Sequence, residues 1–333
     1  MSRPLRVLII EDSEDDALLL AREIKQGGYA PIFERVDTAE AMRAALAKQT
    51  WDIILSDYNM PHFSASTALE LFRQSDLDIP FIIVSGAIGE ETAVTMMKAG
   101  AHDYVMKDNL SRLLPAINRE LEDAEVRRAR KQAEEQLENS FVNLAETISR
   151  AMESRDPYTS GHQRRVAELA RLVGQKMGLD KDRLQGLYIG SLLHDIGKIS
   201  TPESILSKPG KLTEEEWNLV RSHTKQGYEI LKDTNLPWPV ADMALHHHER
   251  LDGSGYPHGI SGDKLSLENR ILAVCDVVEA MSTHRPYRPA RKRQEVVEEI
   301  KSGRGTRYDS NVVDAMLQII ESGGSKLTAM VIR

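Results

Sequence analysis

A chain of 333 residues is too long for one ordinary hydrophobic core, so two domains with a connector are expected. Apolar residues at 41% and charged residues at 28% are the proportions of a soluble globular protein, and no run reaches about 18 uncharged apolar residues, so no membrane span is expected. The net charge of -8 leaves no electrostatic footprint for nucleic acid. The single cysteine, Cys275, excludes an internal disulfide and fits a reducing cytoplasm, and MSRPLRVLII leads into a strand rather than reading as a signal peptide.

Up to about residue 120, short apolar runs alternate with amphipathic stretches. The runs are LRVLII (5–10), PIFERV (31–36), WDIILS (51–56), PFIIVS (80–85) and DYVM (103–106), and segments such as ALLLAREIKQ and AEAMRAALAKQ lie between them. Strands alternating with helices imply right-handed crossovers and a doubly wound, five-stranded parallel sheet covered on both faces. Polar residues follow the strands: Glu11 and Asp12 the first, Asp57 the third, Ser85 the fourth and Lys107 the fifth. Such sheets bind ligands at this carboxyl edge. Converging carboxylates would repel unless a hard cation joined them, and Mg²⁺ is the natural candidate.

From about 111 to 155 the pattern becomes continuous helix, without Gly or a second Pro after Pro115 and rich in charge. Ala133, Leu137, Phe141, Leu144, Ile148 and Ala151 approximate an a/d seam. The seam either pairs two chains or docks on the following domain. Beyond it the sequence reads as helices joined by Gly/Pro-containing loops, an all-α domain. LTEEEWNLV carries a capping box, with Thr213 as the cap and Glu216 three residues on.

That second region concentrates histidines and carboxylates in apolar settings. His162 lies in DPYTSGHQRRV, His194 and Asp195 in LLHDIGK, His223 in VRSHTKQG, His247 and His248 in LHHHERLDG, and Asp276 in AVCDVVEA. A buried charged group must be paired or metal-bound. Histidines with a few carboxylates and no thiolate suit Fe, Mn, Zn or Ni. Seven ligands exceed the needs of one ion that keeps positions open for water, so two divalent ions are expected. Lys198 lies four residues after His194 and three after Asp195, so on a helix all three share roughly one face. GSGYP, with two glycines able to take positive φ, is a loop that lets backbone approach a ligand.

Two resemblances complete the reading. DYNMP (57–61), VSG (84–86), AGAHDY (99–104) and YVMK (104–107) resemble the receiver domain of two-component response regulators. The resemblance implies that Asp57 accepts a phosphoryl group from a sensor histidine kinase, that Glu11, Asp12 and Asp57 bind Mg²⁺, and that Ser85, Tyr104 and Lys107 form the switch. Ala65 and Asp108 depart from the usual Gly and Pro.

HDIGK, KPGKLTEEE and HHERLDGSGYP are similar to the HD-GYP domain, whose members hydrolyse cyclic di-GMP. This likeness implies one ion, Fe or Mn, on His162, His194, Asp195 and Asp276, and a second on Asp195, as bridge, with His223, His247 and His248. Asp195 and Lys198 are then catalytic, and Lys198, Gly255, Tyr256, Pro257, Arg285 and Arg288 bind substrate. Tyr158 stands where some members place a Glu ligand for a third ion, which favours two. Glu279 and His284 replace residues that are usually Asp.

The expected organisation is a receiver at 1–122, a helical connector at 123–142 and an HD-GYP domain at 143–333. The expected function is phosphorylation-controlled hydrolysis of cyclic di-GMP to pGpG, onward cleavage to GMP being left open. A homodimer through the connector is expected, with neither nucleic acid nor membrane insertion. The alternative is a non-catalytic effector that binds cyclic di-GMP or a protein.

Overall fold

The computed structural model describes residues 2–75, 77–86, 90–154, 161–208, 210–284 and 289–322. The chain packs as two units, Met1–Gln136 and Leu137–Arg333.

In the first unit five strands alternate with helices: β1 (Arg3–Ile10), α1 (Glu14–Gln26), β2 (Tyr29–Val36), α2 (Ala39–Lys48), β3 (Ile53–Asp57), α3 (Ala65–Gln74), β4 (Phe81–Ser85), α4 (Glu90–Ala99) and β5 (Asp103–Met106). All pairings are parallel, in the order β2-β1-β3-β4-β5. Period-2 geometry sorts the side chains onto two faces. Val7, Ile9, Ile53, Leu55, Ile82 and Val84 pack with Ala17, Leu20 and Ile24 of α1. Leu8, Ile10, Ile54, Phe81 and Ile83 pack with residues of α2, α3 and α4, including Met42, Leu69 and Met96. Burial on both sides explains the apolar stretches of the central strands, Val7–Ile10, Ile53–Leu55 and Phe81–Val84. Ser13, Thr38 and Ser64 cap α1, α2 and α3 by accepting backbone N–H bonds. The chain leaves β1 for β2 on one side and β3 on the other, which opens a crevice at the strand ends.

A single helix, α5 (Leu113–Glu153), runs from the first unit into the second, through the expected borders near 122 and 142 without a break. Its first turns join the sheet core through Leu113, Ala116, Ile117 and Leu121. Its last turns bury Ala145 and Met152 in the second unit. The anticipated seam divides there. Phe141 is half-buried and meets Trp238 edge-on at 6.4 Å. Leu137, Leu144 and Ile148 are 57%, 60% and 40% exposed, a lateral apolar stripe.

The second unit continues with α6 (His162–Lys176), α7 (Lys181–Leu193), a 3₁₀ turn at Ile196–Ser200, α8 (Glu203–Leu206), α9 (Glu214–Arg221), α10 (His223–Leu231), α11 (Val240–His246), α12 (Leu267–Ser282), α13 (Arg293–Ser302) and α14 (Ser310–Ser322). Both halves of the capping box at Thr213 and Glu216 form at the start of α9. One core joins α6 with α12, α13 and α14, and another joins the end of α5 with α7, α10 and α11. Among the described residues, no helix is long and apolar enough to cross a membrane.

Candidate metal centre and acidic pocket

The sequence-selected residues of the second unit come from five places: the start of α6 (His162), the turn after α7 (His194, Asp195), the start of α10 (His223), the turn after α11 (His247, His248) and the middle of α12 (Asp276). Their ligand atoms gather in two groups, His162 with His194 and Asp276, and Asp195 with His223, His247 and His248.

The backbone decides which ring nitrogen faces the centre. His194 Nδ1 lies 2.7 Å from the Ser191 carbonyl, His223 Nδ1 2.6 Å from that of Val220, and His247 Nδ1 2.9 Å from that of Ala244. A carbonyl only accepts, so each Nδ1 carries the proton and each Nε2 presents a lone pair. These carbonyls belong to helix C-terminal turns, where they lack intrahelical partners and the helix end is negative. His162 reaches the same state through a side chain, since its Nδ1 is hydrogen-bonded to Glu279 Oε2. Carboxylate–histidine pairing of this kind orients metal ligands. Glu279 is fully buried, and its Oε1 accepts from Arg165 at 2.7 Å.

Asp195 stands between the groups. Its Oδ2 is 3.5 Å from His194 Nε2 and 4.0 Å from His162 Nε2, while its Oδ1 is 3.3 Å from His223 Nε2 and 3.8 Å from His247 Nε2. Asp276 spans them too, with Oδ1 3.3 Å from His162 Nε2 and Oδ2 3.9 Å from His248 Nδ1. Burial alone would raise both carboxyls. Both are nonetheless held well below the usual range, Asp195 chiefly by the Lys198 ammonium beside it. Burial pushes His223 and His247 down as bases, and His248 to about 3, so these rings are neutral.

This arrangement fits divalent cations. His223 Nε2 and His247 Nε2 lie 3.2 Å apart with no proton between them, because both protons are committed at Nδ1. Asp195 Oδ1 is buried and receives no hydrogen bond. Facing lone pairs beside an unpaired carboxylate oxygen are costly unless a cation joins them.

Around the centre, Lys198 Nζ donates to Asp195 Oδ2 at 2.5 Å. Gly197 lets this turn lie against α10: a Cβ there would sit 1.9 Å from the His223 carbonyl oxygen. Gly255 likewise presses on the ligand turn, its missing Cβ 2.5 Å from the His248 carbonyl oxygen. Tyr256 stacks on His248 with centroids 4.6 Å apart, and the Arg221 guanidinium lies 5.6 Å from the centroid of the same Tyr256 ring. Pro257 follows in the same loop. Arg285 and Arg288, and Tyr158, lie outside the described residues. His246 is taken up by Asp242 at 2.8 Å, and Cys275 is core.

In the first unit Glu11, Asp12 and Asp57 form a third group at the β1/β3 crevice. Lys107 Nζ reaches Glu11 Oε2 at 2.8 Å, Asp57 Oδ2 at 3.2 Å and Asp16 Oδ2 at 2.5 Å. Burial raises the Glu11 carboxyl against the pull of Lys107. Asp57 Oδ1 accepts from the Tyr58 amide at 2.7 Å. Ser85 Oγ is buried without a partner, one register step past Val84, the residue opposite Asp57. Tyr104 is half-buried on β5 beside the α2–α4 core.

Sequence reasoning missed Asp16, Gly197 and the role of Glu279. Asp16 carries a signal in its spacing, four residues after Asp12 on the helix leaving the crevice. The Glu279–His162 pairing joins residues 117 apart and has no local signature.

Residues 7–118 match the response regulator receiver domain, and residues 146–312 match the HD domain. The chain is 32% identical to the cyclic di-GMP phosphodiesterase response regulator RpfG of Xanthomonas campestris pv. campestris, over 94% of this chain and 87% of that one. It is 30% identical to a cyclic di-GMP phosphodiesterase of Thermotoga maritima, over 95% of this chain and 90% of the relative. With 3'3'-cGAMP-specific phosphodiesterase 3 of Vibrio cholerae it shares 40% identity, over 48% of this chain and 35% of the other. Receiver and HD domains in this order, with similarity along nearly the whole length of RpfG, make the chain a member of the response regulators that carry an HD-GYP output domain.

Proposed function

We propose that the chain hydrolyses cyclic di-GMP to pGpG at the two-group centre, under control of phosphorylation at Asp57. The observation that carries the reading is the pair of facing Nε2 atoms of His223 and His247 beside the unpaired Asp195 Oδ1, a cavity in charge that a cation fills. One ion would be held by His162, His194, Asp195 and Asp276, the other by Asp195, His223, His247 and His248, with Fe or Mn suited to this donor set. Bound ions supply Lewis acidity for phosphodiester hydrolysis.

The chain's own residues do the rest. Asp195 joins the two halves through separate oxygens. Lys198, with a side chain 22% exposed, reaches from Asp195 toward solvent and can pass its hydrogen bond to a phosphate oxygen. Tyr256 offers a ring for a guanine, Gly255 and Pro257 shape the loop under it, and Arg285 and Arg288 supply charge for the second phosphate. In the receiver, Glu11, Asp12 and Asp57 would hold Mg²⁺, and Ser85 and Lys107 would grip the phosphoryl oxygens donated by a sensor histidine kinase, with Tyr104 as the switch ring. The stripe Leu137, Leu144 and Ile148 would pair two chains in a cytoplasmic homodimer.

The test is chromatography of products from cyclic di-GMP and from 3'3'-cGAMP, with Mn²⁺ or Fe²⁺ content measured on the same sample. Linear pGpG from cyclic di-GMP with two ions per chain is expected. Turnover confined to 3'3'-cGAMP would reassign the substrate, and binding without turnover would make the chain an effector.

A further inference from the structure

The loop that carries Tyr256 leaves the ligand turn and returns across it. Its near leg is closed locally: the Gly253 amide donates to the Arg250 carbonyl at 2.9 Å, and the Ser254 amide to Asp252 Oδ1 at 3.0 Å. The return leg has a different anchor. The backbone N–H groups of His258 and Gly259 both donate to Glu249 Oε1, at 2.7 and 3.1 Å. Glu249 follows the ligand pair His247 and His248 directly and is 1% exposed. One carboxylate oxygen therefore ties the far end of the loop to the turn that bears the ligands.

The other oxygen has its own setting. Glu249 Oε2 is buried without a partner, and so is Asn269 Oδ1 on α12. The Asn269 amide is fixed in orientation, because its Nδ2 donates to Asp242 Oδ2 at 2.6 Å. Glu249 and Asn269 line one small cavity of about 10 Å³ together with Arg270, Arg307 and Tyr308. That is close to the space one water molecule needs, and a water has two protons to give to two buried acceptors.

We propose that Glu249 is a positioning residue: it clamps the return leg of the loop, with one internal water shared between Oε2 and Asn269 Oδ1, and so keeps Tyr256 over His248. Its effect falls on substrate affinity rather than on metal binding or turnover, a consequence that rests on the proposed role of Tyr256. A free carboxylate is not required, only an acceptor of this length.

The test uses the full chain. Amide hydrogen exchange of His258 and Gly259, read without substrate, reports the clamp directly. Glu249→Ala should lose protection at these two amides by tenfold or more, keep the wild-type number of bound Mn²⁺ ions, and raise KM for the cyclic dinucleotide with kcat within twofold. Glu249→Gln, which retains an acceptor oxygen, should restore protection and KM. If Glu249→Ala does not fold, Glu249→Asp, with the acceptor withdrawn by one methylene, takes its place. Unchanged protection in the shortened variant, or a Gln variant as unprotected as Ala, overturns the clamp, and so does a loss of Mn²⁺ with both amides still protected. A crystal structure with a dry cavity between Glu249 and Asn269 removes the water. If no cyclic dinucleotide is turned over, the exchange and metal measurements still decide the role of Glu249.

Discussion

Replacing Glu279 with Gln changes one atom of a fully buried side chain and should unbalance one half of the centre. Among the described residues, the carboxylate accepts from His162 Nδ1–H on Oε2 and from the Arg165 guanidinium on Oε1. Glutamine has a single acceptor oxygen. If it faces Arg165, the amide NH₂ confronts the imidazole N–H. His162 then either loses its bond to Glu279 or takes the other tautomer, placing a proton on Nε2, 3.3 Å from Asp276 Oδ1, where the proposed ion would sit. A buried donor left unmatched costs about 1–3 kcal/mol of stability. Loss of the partner that orients a ligand weakens metal binding by about 10–100-fold, or about 1.4–2.8 kcal/mol. Arg165 is 24% exposed, so water recovers part of the cost on that side. The assay is equilibrium dialysis against Mn²⁺ with metal counted by mass spectrometry. One ion per chain should keep its affinity and the other should weaken, because His223 and His247 are oriented by carbonyls. Two ions bound as tightly as in the parent would refute the reasoning.

Further expectations concern other parts of the molecule. Asp195→Ala removes both oxygens that face the two groups, so bound metal and hydrolysis should fall together, and wild-type turnover would remove Asp195 as the bridge. Asp57→Ala should abolish labelling by acetyl phosphate with Mg²⁺, whereas persistent labelling would point to another acceptor. Leu137→Glu places a charge in the exposed stripe of α5, and light scattering should show a shift from dimer to monomer; a variant still dimeric would exclude the stripe as the contact. Gly197→Ala forces a Cβ to within 1.9 Å of the His223 carbonyl oxygen, so thermal unfolding should show a loss of ~1–3 kcal/mol or more; an unchanged Tm would mean that the turn yields at little cost.

The parallel sheet was legible because burial on both faces leaves the middle of its central strands apolar, as in VLII (7–10) and FIIV (81–84). The residues of the centre were legible for the opposite reason: His194 and Asp195 stand out because Leu192, Leu193 and Ile196 surround them. What could not be read was whatever depends on angle or on distant contact. Positions 137, 141, 144 and 148 lie within a narrow arc of a helix, so spacing grouped Phe141 with Leu137, yet packing turned Phe141 toward Trp238 and left Leu137 outside. Gly197 looks like any turn glycine until α10 is brought against it. Glu279 reads as a helix carboxylate until α6 delivers His162.

The orienting hydrogen bonds of the histidines differ in what substitution can do to them. His194, His223 and His247 are set by the carbonyls of Ser191, Val220 and Ala244, and every residue type carries a carbonyl. Side chains at those three positions can drift without touching ligand chemistry, and only a shift of backbone can retune it. His162 is set by a carboxylate that mutation can lengthen, shorten or neutralise. Position 279 is therefore a dial on His162 alone: at the proposed metal centre it could adjust metal preference without replacing a ligand, which no side-chain change at Ser191, Val220 or Ala244 would do.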